Sequence, residues 1–218
     1  MSDQSQMIRD IEREVAYTRQ MIGRSVLSES VMNAIRQVPR EAFVPETERC
    51  FAYDNGPLPI GCGQTISQPY IVALMTDLLE VGDDAVVLEV GTGSGYQAAV
   101  LSRVVKQVYS VEIIETLSIQ ATATLQKLGY HNVSCQCVDG YLGWSEHAPY
   151  DGILVTAAAV EIPTPLIEQL KPGGRLVIPV GPPYDYQDLI VVEKSQTGEV
   201  REKMVLGVAF VPLTRSGK

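Results

Sequence analysis

A glycine-rich stretch near the middle of this chain has residue types and spacing that suit a nucleotide-like ligand. The apolar run Val86–Val90 leads into Gly91, Gly93 and Gly95, and a helix-forming run follows. Glycine carries no Cβ, so a ligand can lie directly against the backbone, and the next helix begins with unpaired N–H groups. This order of strand, turn and helix predicts a cofactor site at the turn. An ordinary connection without a ligand would have the same order.

The spacing of the glycines bears on which cofactor would bind. The dinucleotide fingerprint is G-x-G-x-x-G, whose third glycine lets the helix pack closely on the strand. This chain instead reads Glu89-x-Gly91-x-Gly93-x-Gly95, with Thr92 inside the loop. An acidic residue near the strand end followed by G-x-G-x-G resembles motif I of the class I S-adenosylmethionine (SAM) methyltransferases.

Two acidic residues end the next two predicted strands. Glu112 ends the strand 107–112, and Asp139, followed by Gly140, ends the strand 132–138. Ligands of open α/β sheets bind at the carboxyl ends of strands, and the two oxygens of a carboxylate suit a ribose diol. An acceptor at Asp139 suits the amine of an adenine. Together these residues predict an adenosine-containing ligand without separating SAM from NAD. The glycine spacing, and the lack of an evident acid–base pair for hydride transfer, favour SAM.

The positions of the other elements predict how these motifs are held. Short apolar runs alternate with helical patterns, which is the order of a doubly wound, mostly parallel sheet, and the last two strands predict an antiparallel end. The expected strands are 86–90, 107–112, 132–138, 150–156, 175–180, 188–194 and 200–211, and the expected helices are 5–22, 29–38, 69–78, 96–105, 115–128 and 165–170. We expect one methyltransferase domain over residues 1–218. In it, residues 1–80 supply N-terminal helices and an active-site loop, and residues 81–218 form the Rossmann-like core.

Composition narrows the functional class further. Hydrophobic residues make up 45% of the chain and charged residues 20%, with a formal net charge of −9. Such a charge argues against a sequence-independent nucleic-acid binder. No run of 18 apolar residues occurs, so we expect no membrane span, and the polar N-terminus shows no signal peptide. The four cysteines lack zinc spacing. We therefore expect a cytoplasmic protein with reduced thiols and no metal.

Longer motifs on both sides of the glycine loop carry a family resemblance. They are Val38-Pro39-Arg40-x-x-Phe43-Val44-Pro45, Gly63-Gln64-Thr65-Ile66-Ser67-Gln68-Pro69-Tyr70, Ala148-Pro149-Tyr150-Asp151 and Phe210-Val211-Pro212-Leu213. In these motifs, which spread over almost the whole chain, the protein resembles the protein-L-isoaspartate (D-aspartate) O-methyltransferases. The segment from Gly63 to Tyr70 is the most specific of them, because other methyltransferase families do not carry it.

The resemblance implies a reaction and its substrate. Members of the family move the methyl of SAM, leaving S-adenosyl-L-homocysteine, to the free α-carboxyl of an isoaspartyl residue in damaged proteins and peptides. A carboxylate is already ionised at neutral pH, since its reference pKa is about 3.9, so it needs no general base. The two histidines, His131 and His147, lie far from the motifs, which is no objection to this chemistry. Catalysis would depend on alignment and on removal of water.

The resemblance also assigns residues. Ser67 is the expected catalytic residue, orienting the substrate carboxylate or the transfer geometry without acting as a nucleophile, although a helix N-cap is the structural alternative. Backbone of Val211 and Pro212 is expected to pair with the extended peptide. The expected cofactor contacts are Gln64, Thr65, Ile66, Glu89, Gly91, Thr92, Gly93, Gly95, Glu112, Asp139, Gly140 and Thr214.

Two departures and two alternatives remain open at this stage. Many bacterial members have arginine after the ribose-binding glutamate, where this chain has Ile113, and the common Gly-Asp-Gly reads Val138-Asp139-Gly140. Neither change removes a ligating carboxylate. The alternatives are a SAM methyltransferase for another carboxylate acceptor and a SAM-binding adaptor without turnover. The intact loop around Ser67 disfavours the adaptor.

Overall fold

A seven-stranded sheet forms the centre of the protein, whose computed structural model describes residues 3–215. The chain begins with helices α1 (Gln4–Ile22) and α2 (Glu29–Gln37), a short hairpin of β1 (Leu58–Gly61) and β2 (Gln64–Ile66), and helix α3 (Pro69–Leu78). The sheet is then built from β3 (Val86–Val90), α4 (Tyr96–Leu101), β4 (Gln107–Glu112), α5 (Glu115–Lys127), β5 (Val133–Cys137), β6 (Tyr150–Val155), α6 (Thr164–Glu168), β7 (Leu170–Val180), β8 (Gln187–Lys194) and β9 (Val200–Val208).

The strand order confirms the predicted doubly wound architecture. It runs β5-β4-β3-β6-β7-β8-β9, parallel through β7 and antiparallel for the last two strands. The chain therefore leaves β3 on one side and returns to β6 on the other. At such a switch point the connections diverge and leave a crevice beyond the carboxyl ends of the strands. The glycine loop lies at that point.

Side chains alternate between two hydrophobic layers on the faces of the sheet. In β3, Val87 packs in the layer beneath α1 to α4, whereas Leu88 and Val90 pack in the opposite layer with Leu166 of α6. The period of two follows from the pleat of the strand. Glu89 shares the face of Val87, so its carboxyl points into a protein layer rather than out of the sheet edge.

The N-terminal helices cover the first layer rather than standing apart from it. One stripe of α1 is buried, including Met7, Ile11 and Val15, and Gly23 ends the helix in the left-handed conformation with φ 71°. Helix α3 is buried along its whole length. It therefore lies between the N-terminal helices and the sheet, and its first turn carries the loop that contains Ser67.

Several element bounds differ from the sequence expectation. Residues 39–63, for which the sequence predicts no helix or strand, contain two 3₁₀ helices (Arg40–Phe43 and Glu46–Phe51) and the strand β1, and β2 begins at Gln64. Strand β7 begins at Leu170 because residues 171–174, expected as a turn, form an irregularity within its pairing to β6. Gln68, not Ser67, is the N-cap of α3, and neither side chain caps it. The Ser67 hydroxyl is thus not used for helix capping.

Candidate active site

The crevice at the switch point is a cleft of about 720 Å³. Three separate segments surround it: the glycine loop with the end of β4, the loop that joins β2 to α3, and the stretch after β9. Most of the predicted cofactor contacts line it, namely Gln64, Thr65, Ile66, Gly91, Thr92, Gly93, Glu112, Gly140 and Thr214, together with Ser67, Val211 and Pro212.

Backbone hydrogen bonds hold the glycine loop in place. Gly91 N donates to Val111 O at 2.8 Å, and Thr156 Oγ1 donates to Gly91 O at 2.5 Å. Gly91 has φ +95°, and a Cβ there would collide with the Thr156 hydroxyl. Glycine is required at this position by both conformation and space. The loop is therefore shaped by the protein itself.

Glu112 ties the loop to the end of β4 and faces the cleft. Its Oε2 accepts from Gly93 N at 2.8 Å, and its Oε1 accepts from Ile114 N at 2.9 Å. The residue is 6% exposed. Each carboxylate oxygen can accept more than one hydrogen bond, so both retain capacity toward a ligand. The two backbone donors fix the orientation of the carboxylate, which suits a vicinal diol.

The remaining wall of the cleft is largely apolar beside Glu112. Val111, Ile113, Ile114 and Leu213 all line it, next to Gly140. A Cβ on Gly140 would lie 2.5 Å from Val90 Cγ1, so the chain approaches the sheet there as only glycine can. An apolar wall beside an oriented carboxylate fits a flat base joined to a ribose. The residues present therefore fit the adenosine half of SAM.

Ser67 lies where this cleft meets a second cavity. That second cavity, of about 1360 Å³, runs between α1, the Ser67 loop and the segment after β9. Four residues line both spaces: Thr65, Ser67, Thr156 and Val211. Among residues 3–215 the half-buried Ser67 hydroxyl has no hydrogen-bond partner. It is available to a group that enters from either side.

The segment after β9 is tethered along the cleft. Ala158 N donates to Val211 O, and Leu213 N donates to Ala158 O, both at 2.8 Å. The Gln187 side chain bonds both the N–H and the C=O of Phe210, at 2.6 and 3.1 Å. These bonds place Val211 and Pro212 as one edge of the site. They also occupy the Val211 carbonyl, one of the backbone groups of Val211 and Pro212 that the sequence predicts to pair with a peptide.

Glu89 does not line the cleft, in contrast to the sequence expectation. Its side chain is fully buried, Ser110 Oγ donates to its Oε2, and its Oε1 has no partner among the described residues. Thr92 Oγ1 lies 2.6 Å from Ser110 Oγ, so this pair of hydroxyls connects the glycine loop to the carboxyl. Burial raises the pKa of Glu89 to about 8, against the opposing effect of the Ser110 hydrogen bond. Glu89 supports the loop from below.

Asp139 and Gly95 also lie outside the cleft wall. Asp139 Oδ1 accepts from Tyr141 N at 3.0 Å, and its Oδ2 lies 3.8 Å from Arg215 Nε. Gly95 is the N-cap of α4 with φ +88°, and a Cβ there would lie 3.2 Å from Leu125 Cδ1. Both residues shape the ends of elements that border the cleft, and neither contacts its interior.

Sequence reasoning missed four polar residues of the site. Thr156 follows β6 and lines both cavities, whereas Ser94 of the glycine loop and Tyr96 and Gln97 of α4 line the cleft. The position of Thr156 at a strand end was a usable signal. Tyr96 gave no comparable signal because its importance depends on Arg40, whose guanidinium lies 5.1 Å from the centroid of the Tyr96 ring.

Within residues 3–215, no group of three or more His, Cys, Asp or Glu side chains is arranged to hold a metal ion. In the same range, no helix combines the length and apolar character needed to cross a bilayer. The four cysteines are free thiols.

Known proteins resemble this chain in sequence and in structure. The sequence pattern of the family described as Protein-L-isoaspartate(D-aspartate) O-methyltransferase matches residues 13–218. A relative from Syntrophobacter fumaroxidans, called protein-L-isoaspartate O-methyltransferase 2, is 58% identical over 210 residues, 96% of this chain and 85% of the relative. A protein of the same name from Nitrosococcus oceani is 58% identical over 214 residues, 98% of this chain and 97% of the relative.

Solved structures agree with the fold. A structure named protein-L-isoaspartate O-methyltransferase superposes with a TM-score of 0.78 at 30% identity, over 92% of this chain and 65% of that one. A Plasmodium falciparum protein assigned the same name, solved with S-adenosyl-L-homocysteine, superposes with a TM-score of 0.80 at 22% identity, over 99% and 100% of the two chains. At that identity the second likeness concerns the fold alone.

Proposed function

The chain belongs to the protein-L-isoaspartate (D-aspartate) O-methyltransferase family, and from that premise we propose how its two cavities divide the work. The protein is a SAM-dependent methyltransferase that acts on the isoaspartyl carboxyl of damaged proteins. We assign the cleft at the glycine loop to SAM and the larger cavity to the isoaspartyl peptide. The observation that carries this assignment is their junction at Ser67, where a methyl donor and an acceptor carboxylate would meet.

The methyl transfer needs no general acid or base from the protein. SAM, when bound, supplies a methyl group on a sulfonium, which an ionised carboxylate can attack in line. The substrate carboxyl is ionised at neutral pH, with a reference pKa of about 3.9. The task of the protein is therefore to align the two groups and to exclude water between them. Val211 at the junction and Ile66 beside it in the cofactor cleft are the apolar side chains that serve that exclusion.

Ser67 is the catalytic residue in this proposal. Its unpartnered hydroxyl can donate a hydrogen bond to one oxygen of the substrate carboxylate and leave the other free to react. Thr156, its neighbour in the junction, cannot do the same, because its hydroxyl already donates to Gly91 O at 2.5 Å. Ser67 positions the nucleophile; it does not become one.

The cofactor would be held by groups with distinct tasks. Glu112 accepts from the ribose hydroxyls, the backbone of Gly91, Thr92 and Gly93 lies along the ligand, and Gly140 leaves room for the base. Gln64, Thr65 and Ile66 close the cleft from the hairpin side, and Thr214 closes it from the segment after β9. Glu89 and Asp139 act through the loops they hold, as Gly95 does.

Val211 and Pro212 would guide the peptide. The Val211 carbonyl is bound to Ala158 N, and proline has no N–H to donate. Backbone pairing with the substrate is therefore left to the Val211 N–H and the Pro212 carbonyl, which carry no hydrogen bond among the described residues. This is narrower than pairing through all the backbone groups of both residues, which the sequence predicts.

We also propose the setting in which the enzyme works. The net charge of −9 and the free thiols support a cytoplasmic protein that acts on damaged proteins rather than on nucleic acid or membranes. Packing of α1 to α3 in one hydrophobic layer with the sheet supports treating residues 1–80 and 81–218 as one domain.

One assay tests the function directly. The protein is incubated with methyl-labelled SAM and two peptides of one sequence, one with isoaspartate and one with aspartate. We expect base-labile label on the isoaspartyl peptide alone. Equal labelling of both peptides would indicate a general carboxylate acceptor, and cofactor binding without any labelling would indicate an adaptor. Either result would overturn the proposal.

A further inference from the structure

The peptide cavity carries a single formal charge at neutral pH. Seventeen residues line it, and most are apolar or uncharged polar side chains. Glu14 of α1 is the one carboxylate among these described lining residues, and no lysine, arginine or histidine is present. The negative charge of Glu14 is therefore not offset by a cation among these lining residues, and it acts on the charges of any peptide in the groove.

Glu14 is held in a defined position. Its Oε1 accepts from Gln68 Nε2 at 3.0 Å and from Asn55 Nδ2 at 2.9 Å. Gln68 directly follows Ser67, so the carboxylate is bound to the side chain next in sequence to the proposed catalytic residue, and both residues line the same cavity. Asn55 in turn accepts from Tyr70 N at 3.2 Å, which joins the same network to the first turn of α3. Both amide donors bond the same oxygen of Glu14, so Oε2 remains without a hydrogen bond among the described residues.

Partial burial makes this charge effective. Glu14 is half-buried, and burial raises its pKa while the hydrogen bond from Gln68 opposes that change. Charges in partly buried sites are screened less by salt than charges on the open surface. A carboxylate at this depth interacts with a nearby substrate charge more strongly than would the exposed acids of α1, such as Glu12.

We propose that Glu14 selects substrates by charge. It favours an isoaspartyl peptide with a basic residue next to the isoaspartate and disfavours one with an acidic residue there. This proposal rests on the assignment of the cavity to the peptide, and it names a specificity residue for that reaction. At about 6 Å and an effective dielectric constant between roughly 40 and 80, one unit charge changes the preference by about threefold to tenfold.

The test compares peptides within each enzyme variant. Neutral isoaspartyl peptides receive lysine, glutamine or glutamate at the position immediately before or immediately after the isoaspartate, and kcat/KM is measured for each. For the native protein we expect a lysine-to-glutamate ratio of about 10 to 100 at one or both positions, because these two residues differ by two unit charges. Glu14→Gln keeps an acceptor for Gln68 and Asn55 and removes the charge, so the ratio should approach one. A ratio taken within one variant cancels any common loss of turnover.

Glu12→Gln is the matched control, because it changes the net charge equally on the same helix but lies outside the cavity. It should keep the native ratio. Equal ratios in the native protein and Glu14→Gln would overturn the assignment of Glu14 alone. No methylation of the neutral peptide would instead overturn the proposed function and this proposal with it. If Glu14→Gln fails to fold, the native protein and Glu12→Gln decide. A lysine-to-glutamate ratio near one in the native protein, or a ratio that falls toward one in Glu12→Gln, would refute the proposal.

Discussion

The guanidinium of Arg40 lies over the ring of Tyr96, 5.1 Å from its centroid, directly behind the cofactor cleft. Arg40 is completely buried, and it donates from Nε to Ala52 O at 2.8 Å and from Nη2 to Gly56 O at 3.1 Å. Burial lowers the pKa of Arg40 to about 10 and raises that of Tyr96 to about 12. One side chain thus joins the segment before β1 to the helix after the glycine loop.

Replacing Arg40 should destabilise the protein. Arg40→Met keeps much of the side-chain volume but loses the hydrogen bonds to the buried Ala52 carbonyl and the half-buried Gly56 carbonyl, and the contact with the Tyr96 ring. We expect the free energy of unfolding in urea to fall by about 2 to 4 kcal/mol. Arg40→Lys should recover little of it, because an ammonium cannot reach both carbonyls as a planar guanidinium does. Exposed Arg49→Met is the control and should change stability by less than about 0.5 kcal/mol.

Ser67→Ala should separate chemistry from cofactor binding. Loss of the hydroxyl leaves the substrate carboxylate less well aligned, so we expect kcat on an isoaspartyl peptide to fall by about 10- to 100-fold. The Kd for S-adenosyl-L-homocysteine, measured by calorimetry, should change by less than about threefold, since the residues that hold the ribose and base are untouched. Full turnover by this variant would remove Ser67 from its assigned role.

Glu112→Gln should weaken cofactor binding more than it lowers the stability of the fold. The glutamine amide would face either Gly93 N or Ile114 N, donor against donor, and the charged acceptor for the ribose would be lost. Hydrogen bonds to charged groups contribute about 1.5 to 3 kcal/mol, so we expect S-adenosyl-L-homocysteine to bind about 10- to 100-fold more weakly. Glu115→Gln, an exposed change at the start of α5, should bind it normally; equal weakening by both variants would point to a general charge effect.

Glu89 should make stability fall as pH rises. Its pKa is about 8 in the folded protein and near the reference value of 4.5 when unfolded. Below about pH 4.5 both states hold the proton, and between 4.5 and 8 only the folded state does, so the unfolded state gains by ionising. The slope approaches about 1.4 kcal/mol per pH unit at most. Above pH 8 the loss is complete.

Glu89→Gln removes that titration. We measure the free energy of unfolding in urea for the variant and the native protein. From pH 5 to pH 8 the difference, variant minus native, should increase by about 2 to 4 kcal/mol. Glu199→Gln, a change on an exposed turn, is the control, and its curve of stability against pH should run parallel to that of the native protein. Parallel curves for Glu89→Gln as well would mean that Glu89 is ionised in the folded protein throughout this range.

Local patterns were sufficient for much of the fold and part of the site. Three parts of the site can be recognised from a few consecutive residues each: the glycine loop, Glu112 at the end of β4 and the Gln64–Tyr70 segment. Turn geometry and the ends of strands depend mainly on residues adjacent in sequence, so they can be predicted without knowledge of tertiary contacts. The alternation of short apolar runs with helices was likewise enough for the doubly wound sheet. The bounds of β7 were not predictable, because an irregularity in pairing depends on the partner strand.

The sequence by itself determined the cofactor class, the reaction class by resemblance, and the two segments that meet at Ser67. Tertiary structure decided which polar residues face the cleft. Glu89 and Glu112 are both acids on adjacent strands, yet the pleat directs one into a buried layer and leaves the other at the open edge. It also decided that Glu14, Thr156 and Val211, far apart in the chain, surround one groove. The physical reason is that the burial of a side chain and its contacts are set by how distant segments pack together. A sequence motif specifies only the residue types and the local conformation of one segment.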